Sequence, residues 1–199
     1  RTPVTIAGNG TGLVGGRIPF GGVVLSTEKL GGIRHIHQAA GESSYVITGP
    51  AITLRALQEA VSAKGLLYPP DPTEQNAFIG ASVATNASGA RTFKYGATRT
   101  WVRRLKVVLA TGDMLELRRG ECVADKEGRL FLKGSRNLFE LKLPQYRMPP
   151  GKHSAGYYTS PDMSALDFFV GSEGTLGVIV EIELGLIPKP QELFSGIVF

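Results

Sequence analysis

Cysteine and histidine are nearly missing from this chain of 199 residues, which holds one Cys, Cys122, and three His. A lone cysteine excludes an internal disulfide and a thiolate metal cluster, and it fits a reducing compartment. His35 and His37 stand two apart, the spacing of one strand face, while His153 is far along the chain, so a histidine metal site lacks ligands. Both are expected to be ordinary strand or loop residues. Long apolar runs are missing too. The longest, such as 107–110 and 168–170, fall far below the roughly 18 residues a membrane helix needs, and they suit buried strands or short helices. No low-complexity tract and no internal repeat is present.

Acidic residues are in deficit, leaving a net charge of +5. Much of the excess lies in Lys126, Arg129, Lys133, Arg136, Lys142, Arg147 and Lys152, which read as a solvated basic face. Aromatic residues are not interleaved on a basic strand there, so a nucleic-acid-binding module is not supported. A hydrophobic content of 42% is enough to bury a core as one domain or two small lobes.

Glycine, by contrast, is abundant and concentrated in three places. Residues 8–16 (Gly-Asn-Gly-Thr-Gly-Leu-Val-Gly-Gly) lie near the start, and residues 171–177 (Gly-Ser-Glu-Gly-Thr-Leu-Gly) near the end. Between them, residues 79–89 (Ile-Gly-Ala-Ser-Val-Ala-Thr-Asn-Ala-Ser-Gly) follow Pro69-Pro70-Asp71-Pro72 with almost no side chain larger than valine. A single glycine loop is commonly a tight turn that needs positive φ. A run of small residues lets backbone lie directly against another body, which suits the wall of a cofactor site.

The pattern predicts strands over Val4–Ala7, Val23–Ser26 and Tyr45–Thr48, with polar, glycine-broken positions before the third. Thr53 caps a helix carrying Leu54, Leu57 and Val61 on one face, and Gly65 ends it. The prolines of 69–72 forbid helix and sheet interior and form a rigid extended stretch. Leu105–Ala110, the turn Thr111-Gly112-Asp113 and Met114–Leu117 predict a hairpin. Residues 121–150 read as a peripheral excursion with a second pair, Arg129–Lys133 and Phe139–Leu143. A short helix is expected over Met163–Val170, then a strand over Val178–Leu184 that alternates apolar and acidic residues, with Pro188 and Pro190 as a boundary.

Residues 10–15 match the dinucleotide fingerprint G-x-G-x-x-G after a strand, and Glu28 stands where a ribose-binding acid would belong. The connectivity fails. Only seven residues separate Gly15 from Val23, among them Pro19, Gly21 and Gly22, whereas a βαβ crossover takes at least about ten to twelve. A nicotinamide site is therefore not expected. No Lys-Ser or Lys-Thr follows the glycines, which excludes a Walker loop. What is left is a nest of backbone N–H groups for an anion, phosphate above all, with Thr11 adding a hydroxyl and Asn9 an amide.

Taken together, Pro-Asp-Pro-Thr at 70–73, the small-residue run 79–89, Lys94-Tyr95-Gly96 and the loop 171–177 resemble the flavin-binding domain of the FAD-linked oxidases of the vanillyl-alcohol oxidase and p-cresol methylhydroxylase superfamily. The resemblance is greatest to the branch of D-lactate dehydrogenase, the glycolate oxidase flavoprotein subunit and D-2-hydroxyglutarate dehydrogenase. It implies an α+β fold, a two-lobed FAD-binding PCMH-type domain with a small parallel βαβ lobe and a larger mixed or antiparallel sheet with flanking helices. The implied division is 1–68 and 69–190, with 191–199 beginning a substrate domain. It further implies that Ala7, Gly8, Asn9, Gly10, Thr11, Gly12 and Leu13 hold the FAD pyrophosphate through backbone amides. Asp71, Pro72 and Thr73 with Ile79, Gly80 and Ala81 would lie along the flavin and its ribityl chain, and Thr85, Asn86, Ser88 and Gly89 would continue the site. Glu173, Gly174, Thr175, Val178 and Ile179 would cover the adenosine end. Lys152, Ala155, Gly156 and Tyr157 would pass near the cofactor, although a surface turn accounts for them as well. The chemistry agrees: glycine loops supply a pyrophosphate with donors free of side-chain bulk, and a neutral flavin needs a flat apolar wall.

The implied function is oxidation of a small 2-hydroxy acid or related alcohol by hydride transfer to FAD, with electrons passed to an acceptor other than NAD. Some superfamily members tether the flavin to a histidine in or just after the first loop. Here those positions hold Thr11, Gly12 and Leu13, so non-covalent FAD is expected. No secure base is present at the motif positions, and no catalytic residue is assigned. No metal and no nucleic-acid partner is expected. The chain opens at Arg1 without methionine and stops mid-pattern in Ser195–Phe199, so it is expected to be a fragment lacking the first βαβ element and the substrate domain, inactive alone. Cytoplasmic localisation is expected, with peripheral membrane association left open. Two other readings stand beside this one: an alkyl-dihydroxyacetone-phosphate synthase-like flavoenzyme, and a flavin-binding, non-catalytic subunit of an oxidase complex.

Overall fold

The strands form where the chain alternates apolar and polar residues between glycine and proline breaks. The computed structural model describes residues 2–39, 44–149, 153 and 156–192. In chain order its strands are β1 (Val4–Ala7), β2 (Val23–Ser26), β3 (Ile33–His37), β4 (Tyr45–Thr48), β5 (Leu66–Leu67), β6 (Val102–Val108), β7 (Met114–Arg118), β8 (Arg129–Lys133), β9 (Leu138–Lys142), β10 (Val178–Gly185) and β11 (Ile187–Pro188). Its helices are α1 (Leu54–Ser62), α2 (Ile79–Ala84), α3 (Thr92–Tyr95) and α4 (Thr98–Trp101), with a 3-10 turn at Ala165–Phe168.

A five-stranded antiparallel sheet of order β3-β4-β10-β6-β7 is the frame of the molecule. β10 occupies its centre. Ile182 and Leu184 are fully buried, while Glu181 and Glu183 meet cations of β6 on the other face. Arg104 lies across three strands there, 2.9 Å from Glu116, 2.9 Å from Glu181 and 3.2 Å from Glu183. Burial alone would raise the Glu181 carboxyl, but Lys106 and Arg104 outweigh it and hold it below the ordinary range.

Helix α1 forms as its periodicity predicts. The Thr53 hydroxyl accepts from Ala56 N at 3.2 Å, and Leu54, Leu57 and Val61 are buried in the core with Val46, Leu105 and Ile182. Gly65 takes φ +69 in the turn that follows. From there Leu66–Leu67 pairs with Ile187–Pro188. Pro188, expected as a boundary marker, sits in this short strand, where a residue without an N–H is tolerated at an edge.

The parallel element is the pair β1–β2, joined by a helix-free loop as the seven-residue argument required. No helix follows β2 within this pair: α1 follows β4, and β3 and β4 belong to the main sheet, so strand pairing runs across residue 68. β3 is a full strand where the reading gave polar, glycine-broken positions and the strand-face spacing of His35 and His37 alone. The expected helix over Met163–Val170 is reduced to the 3-10 turn. Two carbonyls at its end, of Asp167 and Val170, accept from the Arg99 guanidinium instead of a helical N–H. The predicted start of a further domain at 191–199 falls mostly on residues outside those described, as do Lys152 and Ala155. Among the described residues no helix is long and apolar enough to cross a membrane.

One carboxylate, besides a backbone bridge, fastens the peripheral hairpin β8–β9 to the sheet. Buried Asp113, in the β6–β7 turn, accepts from Asn137 Nδ2 at 2.7 Å, Arg136 N at 2.9 Å and Thr111 Oγ1 at 3.0 Å. The Asn137 amide, then the Arg136 backbone and the Thr111 hydroxyl, hold this carboxyl below its ordinary value. A carboxyl depressed on folding stabilises the fold above its unfolded pKa and loses that contribution as pH falls through the folded one. The urea midpoint is therefore expected to hold steady near neutrality and to drop below about pH 4. Asp113→Asn should lower the neutral plateau and flatten this acid limb; an acid limb identical to wild type would assign it to other carboxylates.

Candidate cofactor site

The three glycine-dense segments, far apart in sequence, meet at one cleft. β1 ends at Ala7, where Thr27 N and Oγ1 both donate to Ala7 O, and releases the loop 8–22. Gly10 at φ +74 and Gly15 at φ +73 bend it. Asn9 Nδ2 donates to Asn76 O at 2.8 Å and Arg17 Nη1 to Gly8 O at 3.1 Å. Asn9 lines the cleft, and its amide, expected to meet an anion, here donates to Asn76 O and anchors the loop. Among the described residues, the backbone N–H groups of residues 9–14 find no acceptor within the chain.

Helix α2 is the opposite wall. A Cβ on Gly8 would lie 3.4 Å from Ala81 Cβ, so the loop rests close against α2. Behind α2, a Cβ on Gly80 would stand 2.5 Å from Pro50 Cβ, and Gly80 N donates to Pro50 O at 2.8 Å. Only glycine permits this approach. The third side is the loop 171–177, held by Gly171 N to Val83 O at 3.0 Å and Glu173 N to Ala84 O at 2.8 Å. Gly174 abuts Ile6 of β1, closing the ring of contacts.

Of the predicted residues, the cleft is lined by Gly8, Asn9, Gly10, Thr11, Gly12, Gly80, Ala81, Thr85, Glu173, Gly174 and Ile179. Ala7 and Ile79 are buried beside it, and Leu13 is fully exposed at the loop tip. Thr175 Oγ1 donates to Ser172 O, and Tyr157 OH lies 2.7 Å from it, so Tyr157 does reach the closing loop. Val178 opens β10 opposite Val108. Asn86, at φ +48, turns its Oδ1 to Arg99 N at 2.9 Å.

Asp71, Pro72, Thr73, Ser88 and Gly89 do not line the cleft. Asp71 Oδ1 accepts from Gln58 and Gln75, its Oδ2 faces Arg91 at 3.5 Å, and Gly89 packs beneath its carbonyl, so Asp71 and Gly89 are tied to each other beyond the end of α2. The sequence reading missed Ile6, Pro50, Thr27 and Arg17, which do line the cleft. The signal for Arg17 was available: it is the cation that ends the first glycine run.

Residues 1–118 match the family of the FAD binding domain. The chain belongs to that family. It is 37% identical, over all of its own length and 34% of the relative's, to D-lactate dehydrogenase of Anaerostipes hadrus. It is 36% identical to glycolate oxidase subunit GlcD of Bacillus subtilis, over 96% of this chain and 33% of that protein. The chain spans about a third of the length of these curated relatives. A solved alkyldihydroxyacetonephosphate synthase shares the fold, with a TM-score of 0.63 at 18% identity over 95% of this chain and 28% of that one.

The residues of this FAD-binding domain fit the cofactor. Unpaired N–H groups of residues 9–14 and the Thr11 hydroxyl suit a pyrophosphate, and Gly80, Ala81, Ala84, Ile6 and Ile179 offer a low apolar wall. Arg17 and Glu173 are the ionisable residues lining the cleft among those described. The described residues contain no cluster of metal-ligating side chains.

Proposed function

We propose that the chain is the FAD-binding portion of an oxidoreductase that oxidises a small 2-hydroxy acid of the D-lactate or glycolate type. The observation that carries this reading is the likeness to D-lactate dehydrogenase and GlcD along nearly the whole chain, in a domain whose cleft joins an anion nest to a small-residue wall. Bound FAD supplies the hydride acceptor. This chain's residues bind and orient: the loop 8–16 holds the phosphates, α2 supplies the wall, and the loop 171–177 closes the third side. FAD is held here without a covalent link, since positions 11–13 are Thr, Gly and Leu. No catalytic base is assigned among this chain's residues. We place the protein in the cytoplasm, passing electrons to an acceptor other than NAD, with membrane contact open.

The full-length protein is expected to purify with flavin absorbance that denaturation releases into solution. D-lactate, glycolate or D-2-hydroxyglutarate should bleach it under anaerobic conditions, and a dye, but not NAD, should restore it. Flavin retained without bleaching by any hydroxy acid would favour a non-catalytic subunit, and protein without affinity for FAD would end this reading.

A further inference from the structure

We propose that Arg17 is the counter-cation of the cofactor's pyrophosphate, leaving Gly8 O to form a charge-assisted clamp over the glycine loop. This inference rests on the FAD reading of the cleft and adds to it a residue that acts on charge. Three features of the loop point the same way. The Arg17 guanidinium lies flat over Gly10, where a Cβ would stand 2.3 Å from Cζ and 2.6 Å from each terminal nitrogen. Gly10 belongs to the stretch whose N–H groups find no acceptor.

Arg17 is also uncommitted. Its hydrogen bond is a single one to a neutral acceptor, Gly8 O at 3.1 Å, and among the described residues no carboxylate lies within ion-pair distance of it. Glu28 lines the groove on its far side and Glu173 the cleft on its near side, and it pairs with neither. A planar guanidinium with several N–H donors matches phosphate oxygens in a way that one carbonyl does not use. Its side chain is exposed, so turning from Gly8 O to a phosphate disturbs no part of the core.

Charge balance gives the reason for such a residue. Backbone N–H groups are neutral donors, and Glu173 lines the same cleft, its Oε2 3.9 Å from where a Cβ on Gly16 would lie, so a carboxylate faces the glycine loop. A pyrophosphate brought there meets like charge unless a cation answers it, and Arg17 is the cation lining the cleft among the described residues.

The test uses the full-length protein stripped of flavin, with FAD, riboflavin and inorganic pyrophosphate as probes. For Arg17→Gln, FAD affinity is expected to fall about tenfold or more, as for loss of a charge-assisted hydrogen bond. Riboflavin, which has no phosphate, should bind both proteins equally. Pyrophosphate should compete with FAD on the wild type and only weakly on R17Q, while Arg17→Lys should recover part of both effects. Equal losses for FAD and riboflavin would make Arg17 a structural residue and overturn the proposal, as would unchanged pyrophosphate competition. A wild-type protein that binds no FAD would instead remove the reading on which the proposal stands.

Discussion

Replacing Gly89 with alanine is expected to destabilise the domain by about 3 kcal/mol, near the upper end for overpacking, and to lower its FAD content with it. A Cβ at this position would stand 1.8 Å from Asp71 O, 2.3 Å from Asp71 C and 2.7 Å from Pro72 N. These are backbone atoms, so no rotamer change relieves the clash. The segment they belong to has little room to move. Tyr68, Pro69 and Pro70 are buried behind it, and the Asp71 carboxylate is held by Gln58, Gln75 and Arg91. Asp71 O already accepts from Ala90 N at 3.3 Å, which a shift would break.

Gly12→Ala is the matching control. Its added Cβ meets nothing within 4 Å, so the melting curve without cofactor should stay near wild type. The methyl group would nevertheless stand in the cleft, and FAD affinity should fall. Thermal melts of the two variants, with and without FAD, separate a glycine required for packing from one required for cofactor access. Coincident melts of G89A and wild type would mean that the Asp71–Pro72 segment yields and that its tie to Gly89 is loose.

The contrast between these glycines marks how far the sequence could be read. Helix α1, the hairpin β6–β7 and the acid-lined strand β10 follow from local periodicity and caps, and each forms within a residue or a few of its expected bounds. The helix-free link between β1 and β2 follows from its length and its proline and glycines. β3 was not legible because its register shifts between Ile33 and His35, which takes Ile33 and Ile36 out of strict alternation. Nor does periodicity name a partner: β10 inserts between β4 and β6, more than a hundred residues from the former. At the site, glycine content drew attention to all three loops but did not separate the residues lining the cleft from those packed behind it. Gly80 and Gly89 look alike in sequence, yet one lies in the wall and the other under Asp71. The residues missed are those whose place depends on the fold, such as Pro50, which backs α2, and Ile6, which meets Gly174.

Asp167 joins the closing loop to the rest of the site, and its removal should show how firmly that loop is held. Buried at 3% exposure, it takes Arg99 Nη1 on Oδ1 at 3.0 Å and both terminal nitrogens of Arg119 at 3.2 Å. Arg99 also donates to the carbonyls of Asp167 and Val170, and its guanidinium lies 4.2 Å from the Tyr158 ring centroid. Burial lowers the Arg99 pKa, and Asp167 opposes that effect. Asp167→Ala would leave two arginines without their carboxylate, at a cost of roughly 3 kcal/mol, the lower end for a broken buried pair because the Arg119 side chain is 36% exposed. Val170 leads directly into Gly171 and Glu173, which bond to the last carbonyls of α2. FAD should therefore dissociate faster from D167A, beyond what its lower melting temperature alone explains. Asp167→Asn, which keeps an acceptor and loses the charge, should fall between. Arg99→Gln combined with Asp167→Asn should cost less than the sum of the two, as members of one network do. Additive losses, or a D167A protein that melts and releases FAD as wild type does, would detach this network from the cleft.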